Sequence, residues 1–252
     1  MISILSSKNP FTYIDFYLIL PQEFSETNFI LIESLFEQYY YFNITYIYMD
    51  ERYKNAFVHN YITNQAYYRF SLGRLLPNLN KIIYLDADTI CFKDLSNLYN
   101  MNFKGKIILG KGLNQNKTNK SQYKINSGIL LLNLKKMRKI KIEEKVLNIL
   151  NGGFTHPTLH DQAVIDIYFY QYVGLFPPEF NSYVLNYTET IKLIQTQTIY
   201  DKDKLFFSLK YPVIRHYKGN KKNLNDDWYY FARKSKFFSK VTNNYSDIFK
   251  FS

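Results

Sequence analysis

Lys81-Ile82-Ile83-Tyr84-Leu85-Asp86-Ala87-Asp88 decides how this chain is read. Its apolar run, with a β-branched pair and entered from Pro77 and Asn78, predicts a short buried strand. Two carboxylates, one residue apart, stand where that strand ends. In open α/β sheets ligands bind at the carboxyl ends of strands. Asp-x-Asp in that place offers hard oxygen ligands for a divalent cation and leaves coordination room for phosphate oxygens. Alone, the pair reads as an acidic turn, so its neighbours in the chain have to decide.

Upstream, Ile14–Leu20 reads as a strand stopped by Pro21, and Ile44–Met49 as another. Between them, Ser25 to Tyr41 carries Phe29, Leu31, Ile32, Leu35 and Phe36 at helical spacing behind an N-capping Ser25. Gln65 to Leu76 predicts a helix that delivers the chain to the central strand. Residues up to Lys8 form the end of a helix, closed by Asn9-Pro10. This alternation predicts an α/β fold with a mostly parallel, Rossmann-like sheet flanked by helices.

Downstream, Asp94–Leu98 reads as a helical turn and Lys106–Leu109 as a strand, with Gly112–Gln122 a polar exposed loop. Lys124–Leu134 is a second apolar strand, unusual for the small polar triplet Asn126-Ser127-Gly128. A basic helix follows to about Leu150, ended by Asn151-Gly152-Gly153. Leu159–Tyr170 predicts a further helix. After Pro177-Pro178 no periodic pattern is legible until the short strand Pro212–Tyr217.

Composition narrows the function classes. The 252 residues suit one sizeable domain, and 46% hydrophobic and 19% aromatic residues exclude a disordered chain. A single cysteine, Cys91, excludes a disulfide framework and a multi-cysteine zinc site, and its apolar neighbours predict a buried thiol. The formal charge of +11 is concentrated in two places. Arg215–Lys240 holds eight Lys/Arg against two Asp, and Leu134–Lys145 six Lys/Arg against two Glu. Such patches suit phosphates or anionic surfaces. No apolar run approaches the roughly 18 residues of a membrane span, and the start lacks the basic region of a signal peptide. The expected location is cytoplasmic, peripheral on the inner face of a membrane.

Three further features accompany the acid pair. Asp161-Gln162 opens a helix. His216-Tyr217-Lys218-Gly219-Asn220-Lys221-Lys222 follows a strand and joins an imidazole to a glycine and cations. Tyr68-Arg69 lies on the helix that feeds the acidic strand. In this order, the text Ala66-Tyr67-Tyr68-Arg69-Phe70, Lys81–Asp88, Ile125–Leu134, His160-Asp161-Gln162 and His216-Tyr217-Lys218-Gly219 resembles glycosyltransferase family 8. These are the retaining sugar-nucleotide transferases that include glycogenin and bacterial lipooligosaccharide galactosyl- and glucosyltransferases.

The resemblance implies a GT-A fold over residues 1–222, followed by a basic aromatic tail, 223–252. It implies Mn²⁺ (or Mg²⁺) held by Asp86, Asp88 and His216 on the diphosphate of a UDP-sugar donor. Such a cation would neutralise charge that builds on the departing UDP. It places Lys222 on the phosphates and Gly219 where backbone approaches them closely. Asn126, Ser127 and Gly128 would face the donor sugar with Arg69 beside them, and Asp161 and Gln162 would lie near its anomeric carbon. The reaction implied is transfer of glucose or galactose, with retention, to a glycan or lipooligosaccharide acceptor. Retention requires either a covalent glycosyl-enzyme or same-face attack through an oxocarbenium-like state.

The chain also departs from the family's pattern. The family begins with a strand and an acidic-tyrosine loop for uracil and ribose, ahead of a helix resembling Ile2-Ser3-Ile4-Leu5-Ser6. The text here starts inside that helix, so the expectation is an N-terminally incomplete unit lacking the first strand. After Lys222, Asn223-Leu224 replaces the usual Pro-Trp, and Trp228 follows. Two other readings compete. One is a catalytically impaired relative that lost part of the nucleotide pocket. The other is a membrane-surface or nucleic-acid binder using Phe231–Phe238. No nucleic-acid motif appears, so no nucleic-acid partner is expected; the same stretch would suit peripheral contact with an anionic membrane.

Overall fold

The computed structural model describes residues 1–58, 63–115, 123–155, 160–217 and 226–235. Among these residues the strands are β1 (Ile14–Leu20), β2 (Phe42–Tyr48), β3 (Ile82–Leu85), β4 (Thr89–Cys91), β5 (Ile108–Gln115), β6 (Tyr123–Leu132), β7 (Val173–Leu175), β8 (Ser182–Tyr183) and β9 (Ile214–His216). They form three sheets, ordered β1-β2, β3-β6-β5-β7 and β4-β9-β8. β1 and β3 are both edge strands of their sheets among the described residues.

The α/β character is as expected, but the sheets are mixed rather than mostly parallel. β1/β2, β5/β7 and β8/β9 pair parallel, whereas β3/β6, β5/β6 and β4/β9 pair antiparallel. Connection length explains the difference. Helix Glu26–Glu33 bridges β1 to β2 and returns the chain in the same direction. Only residues 116–122 separate β5 from β6, too few for a crossover of about a dozen residues, so that pair is antiparallel.

β6 is the spine. Its neighbours are β3 on one side and β5 on the other, and Ser127 to Leu132 are all buried. Leu130 and Leu132 enter the core formed with Tyr67, Phe70, Ile108 and Val164. Ile129 and Leu131 enter the opposite core, with Leu98, Leu109, Phe176 and Ile214. That is the period-two alternation of a strand covered on both faces. The ladder breaks at the polar triplet: Gly110 pairs with Leu130, but the next residue, Lys111, pairs with Asn126. Residues 127–129 are therefore extra relative to β5, a bulge of the kind that re-aims side chains at functional sites.

Several boundaries differ from the periodicity. The segment predicted as a helix over Ser25–Tyr41 is α-helical only over Glu26–Glu33 and then tightens to a 3₁₀ turn, Ser34–Glu37. Asn64–Ser71 is also 3₁₀, continuing as the α-turn Leu72–Leu75. The basic helix is two, Leu134–Lys139 and Ile142–Asn151, separated by Lys141 in the left-handed region at φ 55°. Strand β5 runs on to Gln115, into what reads as loop; the remainder of that loop lies outside the described residues. Between Pro178 and Pro212 there are two helices, Tyr187–Thr196 and Lys202–Lys210. The first carries a full capping box, Asn186 with Glu189, and the second an Asp201 cap. Of the expected tail, Asp226–Ala232 is a helix whose Phe231 is buried against Ile90 and Tyr217, with Arg215 ion-paired to Asp227. Cys91 is buried as expected, and burial pushes its thiol up to about 12, which leaves it unreactive.

Candidate functional site

The acid pair lies where the chain changes sheets. Leu85 ends β3 opposite Ile129 of β6, and the Asp86 N–H donates to Gly128 O at 2.7 Å, extending the ladder by one residue. A turn over Ala87 and Asp88 then starts β4, whose Thr89 lies opposite His216 in β9. The Tyr217 N–H donates to Asp88 O at 3.0 Å and closes that end. Two antiparallel registers thus bring the imidazole, about 130 residues away in sequence, onto the two carboxylates.

His216 Nε2 is 3.2 Å from Asp88 Oδ1 and 4.0 Å from Asp86 Oδ2. The three residues offer ligand atoms all within 4.8 Å of one another. Gly128 forms the floor. A Cβ there would come within 2.3 Å of His216 Cε1, 2.6 Å of Asp86 Oδ2 and 2.8 Å of His216 Nε2. Only glycine leaves that space open. Two carboxylates and an imidazole are the donor set of Mn²⁺ or another first-row divalent cation rather than of a soft, thiolate-seeking one. The residues therefore fit the cation that the sequence implied.

Asp86 is shared between two tasks. Its Oδ1 accepts from Tyr84 Oη at 2.8 Å and from Arg69 Nη2 at 3.2 Å, which leaves Oδ2 toward His216. Burial raises its pKa from the ordinary carboxylate range, while Arg69 and His216 oppose that rise. Arg69 is only 4% exposed. Its Nε donates to Ala66 O, Nη1 to Ser127 O, and Nη1 also lies 3.0 Å from Asp161 Oδ2. The guanidinium stacks on the Tyr84 ring at 4.4 Å. Burial disfavours its charge, but Asp161, Tyr84 and Asp86 more than compensate and hold it protonated. One cation thus ties the metal-side carboxylate to the carboxylate that opens helix Asp161–Tyr168.

Gln162, next in that helix, accepts the Ser127 N–H on its Oε1 at 3.4 Å. Asn126 Oδ1 accepts from the Gly128 N–H at 3.2 Å and from Asn181 Nδ2 at 2.8 Å. The structure accordingly assembles Arg69, Asp86, Asp88, Asn126, Ser127, Gly128, Asp161, Gln162 and His216 into one connected group. Gly219 and Lys222 lie outside the described residues. Two participants escaped the sequence reading. Tyr84 was legible, because it sits two residues before Asp86 on the same strand face. Asn181, fully buried beside His216, follows Pro177-Pro178 where no period was visible, and nothing local marks it.

Comparison with known proteins agrees with the geometry. The model of glycosyl transferase family 8 matches residues 1–226. Among curated relatives, general stress protein A of Bacillus subtilis (strain 168) is 27% identical over 192 residues, 69% of this chain and 64% of that protein. A lipopolysaccharide 1,2-glucosyltransferase of Escherichia coli is 27% identical over 130 residues, 46% of this chain. The chain spans 38% of the length of that second relative, and under two thirds of both. Among solved structures, galactosyltransferase LgtC in complex with donor and acceptor sugar analogues superposes with a TM-score of 0.71 over 96% of this chain and 88% of its own, at 20% identity. The apo WbbM bifunctional glycosyltransferase gives 0.76 over 96% of this chain and 48% of its own, at 17% identity. At these identities the likeness is one of fold, that of the GT-A glycosyltransferases. The chain belongs to glycosyl transferase family 8.

Proposed function

We propose that this chain is a retaining hexosyltransferase. It moves glucose or galactose from a UDP-sugar to a glycan or lipooligosaccharide acceptor, with Mn²⁺ (or Mg²⁺) held by Asp86, Asp88 and His216. The observation that carries the reading is the convergence of those three ligands over Gly128, where a Cβ would stand 2.3 Å from the imidazole. The cation, when bound, supplies electrostatic stabilisation of the charge that grows on the leaving diphosphate.

The chain's own residues do the rest by placement. Arg69, locked against Tyr84, opposes the rise that burial imposes on the Asp86 carboxyl and, by pairing with both Asp86 and Asp161, fixes the distance between the metal end and the sugar end of the site. Asp161 is placed to bind a sugar hydroxyl, and Gln162 to position the sugar or act as a weak nucleophile. Asn126, Ser127 and Gly128 form the bulged wall that faces the donor, and Lys222 and Gly219 belong to its phosphate side. No described helix is long and apolar enough to cross a membrane. For a lipid-linked acceptor the basic aromatic C-terminal stretch serves as a peripheral contact with anionic lipid.

The test is turnover. UDP-glucose and UDP-galactose are each incubated with the chain and a glycan or lipooligosaccharide acceptor, with Mn²⁺, with Mg²⁺ or with EDTA. Released UDP and the anomeric configuration of the product are then measured. The proposal expects metal-dependent release with retained configuration, absent in Asp88→Asn. Full activity of that variant with and without Mn²⁺ contradicts the metal assignment. Cation binding without turnover would instead assign the chain as an impaired relative.

A further inference from the structure

We propose that Asn181 is the positioning residue that accepts the Nδ1 proton of His216 and leaves its Nε2 lone pair for a cation at the acid pair; this rests on the metal reading above. Asn181 ends the 3₁₀ turn Pro178–Asn181 and immediately precedes β8, which lies parallel to β9 with Tyr183 opposite His216. It is completely buried. Its backbone carbonyl accepts from Lys111 Nζ at 2.8 Å, and Lys111, itself fully buried, lies over the Tyr183 ring at 3.8 Å. The residue is therefore held independently of its side chain.

The side-chain amide lies between Asn126 Oδ1, 2.8 Å away, and His216 Nδ1, 3.2 Å away. Which end faces which partner follows from one backbone group. The Gly128 N–H can only donate, and it points at the Asn126 amide at 3.2 Å, so the atom there is Oδ1. An oxygen in that place requires a donor from Asn181, which turns Nδ2 toward Asn126. Oδ1 of Asn181 then faces His216, and an amide oxygen can only accept. Asp88 Oδ1, 3.2 Å from Nε2, is an acceptor too, so without a cation both ring nitrogens face acceptors. A cation between the ring and the acid pair takes the Nε2 lone pair; the ring proton is then on Nδ1, where Asn181 Oδ1 accepts it.

The chain of polarity runs Gly128 N–H to Asn126, Asn181 and His216. Gly128 thus acts twice: the absence of its Cβ opens the cation's space, and its N–H orients the ligand across that space. With alanine at 181 the Nδ1 side loses its acceptor. With aspartate at 181 that acceptor is retained, while the donor toward Asn126 Oδ1 is lost.

The experiment uses the full chain labelled with ¹⁵N-histidine. The ring nitrogens of His216, assigned with a His216→Gln control, are read with Zn²⁺ bound as a diamagnetic stand-in. Mn²⁺ affinity is measured in parallel by calorimetry. Wild type is expected to show Nε2 on the cation and a hydrogen-bonded Nδ1–H. Asn181→Ala is expected to lose the hydrogen-bonded Nδ1–H signal and to weaken Mn²⁺ binding about 10–100-fold. Asn181→Asp, which keeps the acceptor toward the ring but not the donor toward Asn126, should keep the Nδ1–H signal. A wild-type ring bound to the cation through Nδ1 overturns the assignment without any variant. An Asn181→Ala chain that keeps both the Nδ1–H signal and wild-type affinity overturns it as well. A wild-type chain that binds neither cation overturns the metal reading, an outcome distinct from binding through Nδ1.

Discussion

In β6 every residue from Ser127 to Leu132 is buried, whereas in β2 only Phe42 is, and helix Glu26–Glu33 buries none of its residues. The two regions are strand-and-helix units of the same chain with similar apolar content. The β3-β6-β5-β7 sheet is covered on both faces by continuous cores, and the acid pair, the bulge and the opening of helix Asp161–Tyr168 are all mounted on it. The β1–β2 pair rests on a small cluster around Leu5, Leu35 and Phe42, sends only the partly buried Tyr17, Ile19 and Ile47 against the main core, and leaves Ile30, Phe36, Tyr40 and Tyr48 exposed in that region. Packing that fixes atoms to a few tenths of an ångström is spent where ligand atoms must converge.

The two regions should therefore respond very differently to substitution. The largest effect is expected at Gly128. Gly128→Ala puts a methyl group into the space among Asp86 and His216 and should weaken Mn²⁺ binding by roughly 100-fold or more, with sugar transfer lost in parallel. Calorimetric titration checks this, and wild-type affinity in the variant would mean that the sheet yields more readily than its burial suggests. Next is Arg69→Met, which strands two carboxylates, Asp86 and Asp161, without their buried cation. It should cost about 3–5 kcal/mol of stability in denaturant unfolding.

Plain core truncation follows. Leu131→Ala, at a fully buried position in β6, should cost about 2–5 kcal/mol. Ile30→Ser, on the helix that joins β1 to β2 and 58% exposed, should change stability by no more than about 0.5 kcal/mol. Equal costs at the two positions would break the comparison.

A separate effect concerns pH. Asp166 accepts the Ile125 N–H at 3.0 Å, yet burial pushes its carboxyl up to about 7. Because the folded state holds this proton more tightly than the unfolded chain, its contribution is complete below about pH 4 and is lost as pH rises through about 7. Asp166→Asn keeps an acceptor for Ile125 and removes the titration. Its melting temperature relative to wild type should therefore rise between acidic and mildly alkaline pH, by roughly 2–4 °C for each kcal/mol involved. A constant difference across that range would contradict the assignment.

Much of this molecule was legible in its sequence, and the rest was not for identifiable reasons. Ile14–Leu20, Ile82–Leu85 and the run through Leu132 stand out because apolar residues enclosed by sheet neighbours leave long, uniform stretches. Asp86, Asp88 and His216 do not stand out singly, since the pair alone reads as an acidic turn; their order with Arg69, Asn126-Ser127-Gly128 and Asp161-Gln162 marks them. The three-residue strands β4 and β7 and the two-residue β8 are too short to show a period. The helices Tyr187–Thr196 and Lys202–Lys210 have weak apolar stripes, and their caps, Asn186 with Glu189 and Asp201, were the better signal. The antiparallel β5/β6 pairing depends on a short connection rather than on the strands themselves. Asn181 matters through tertiary position alone.

The central claim is that Asp86, Asp88 and His216 are a divalent-cation site in a sugar transferase. The most direct measurement is Mn²⁺ binding in the presence of UDP, by water-proton relaxation or by calorimetry, in wild type and in Asp88→Asn. The account predicts one saturable Mn²⁺ site per chain in the wild type and its loss in a folded variant. Equal binding by both chains, or none by the wild type, would contradict it.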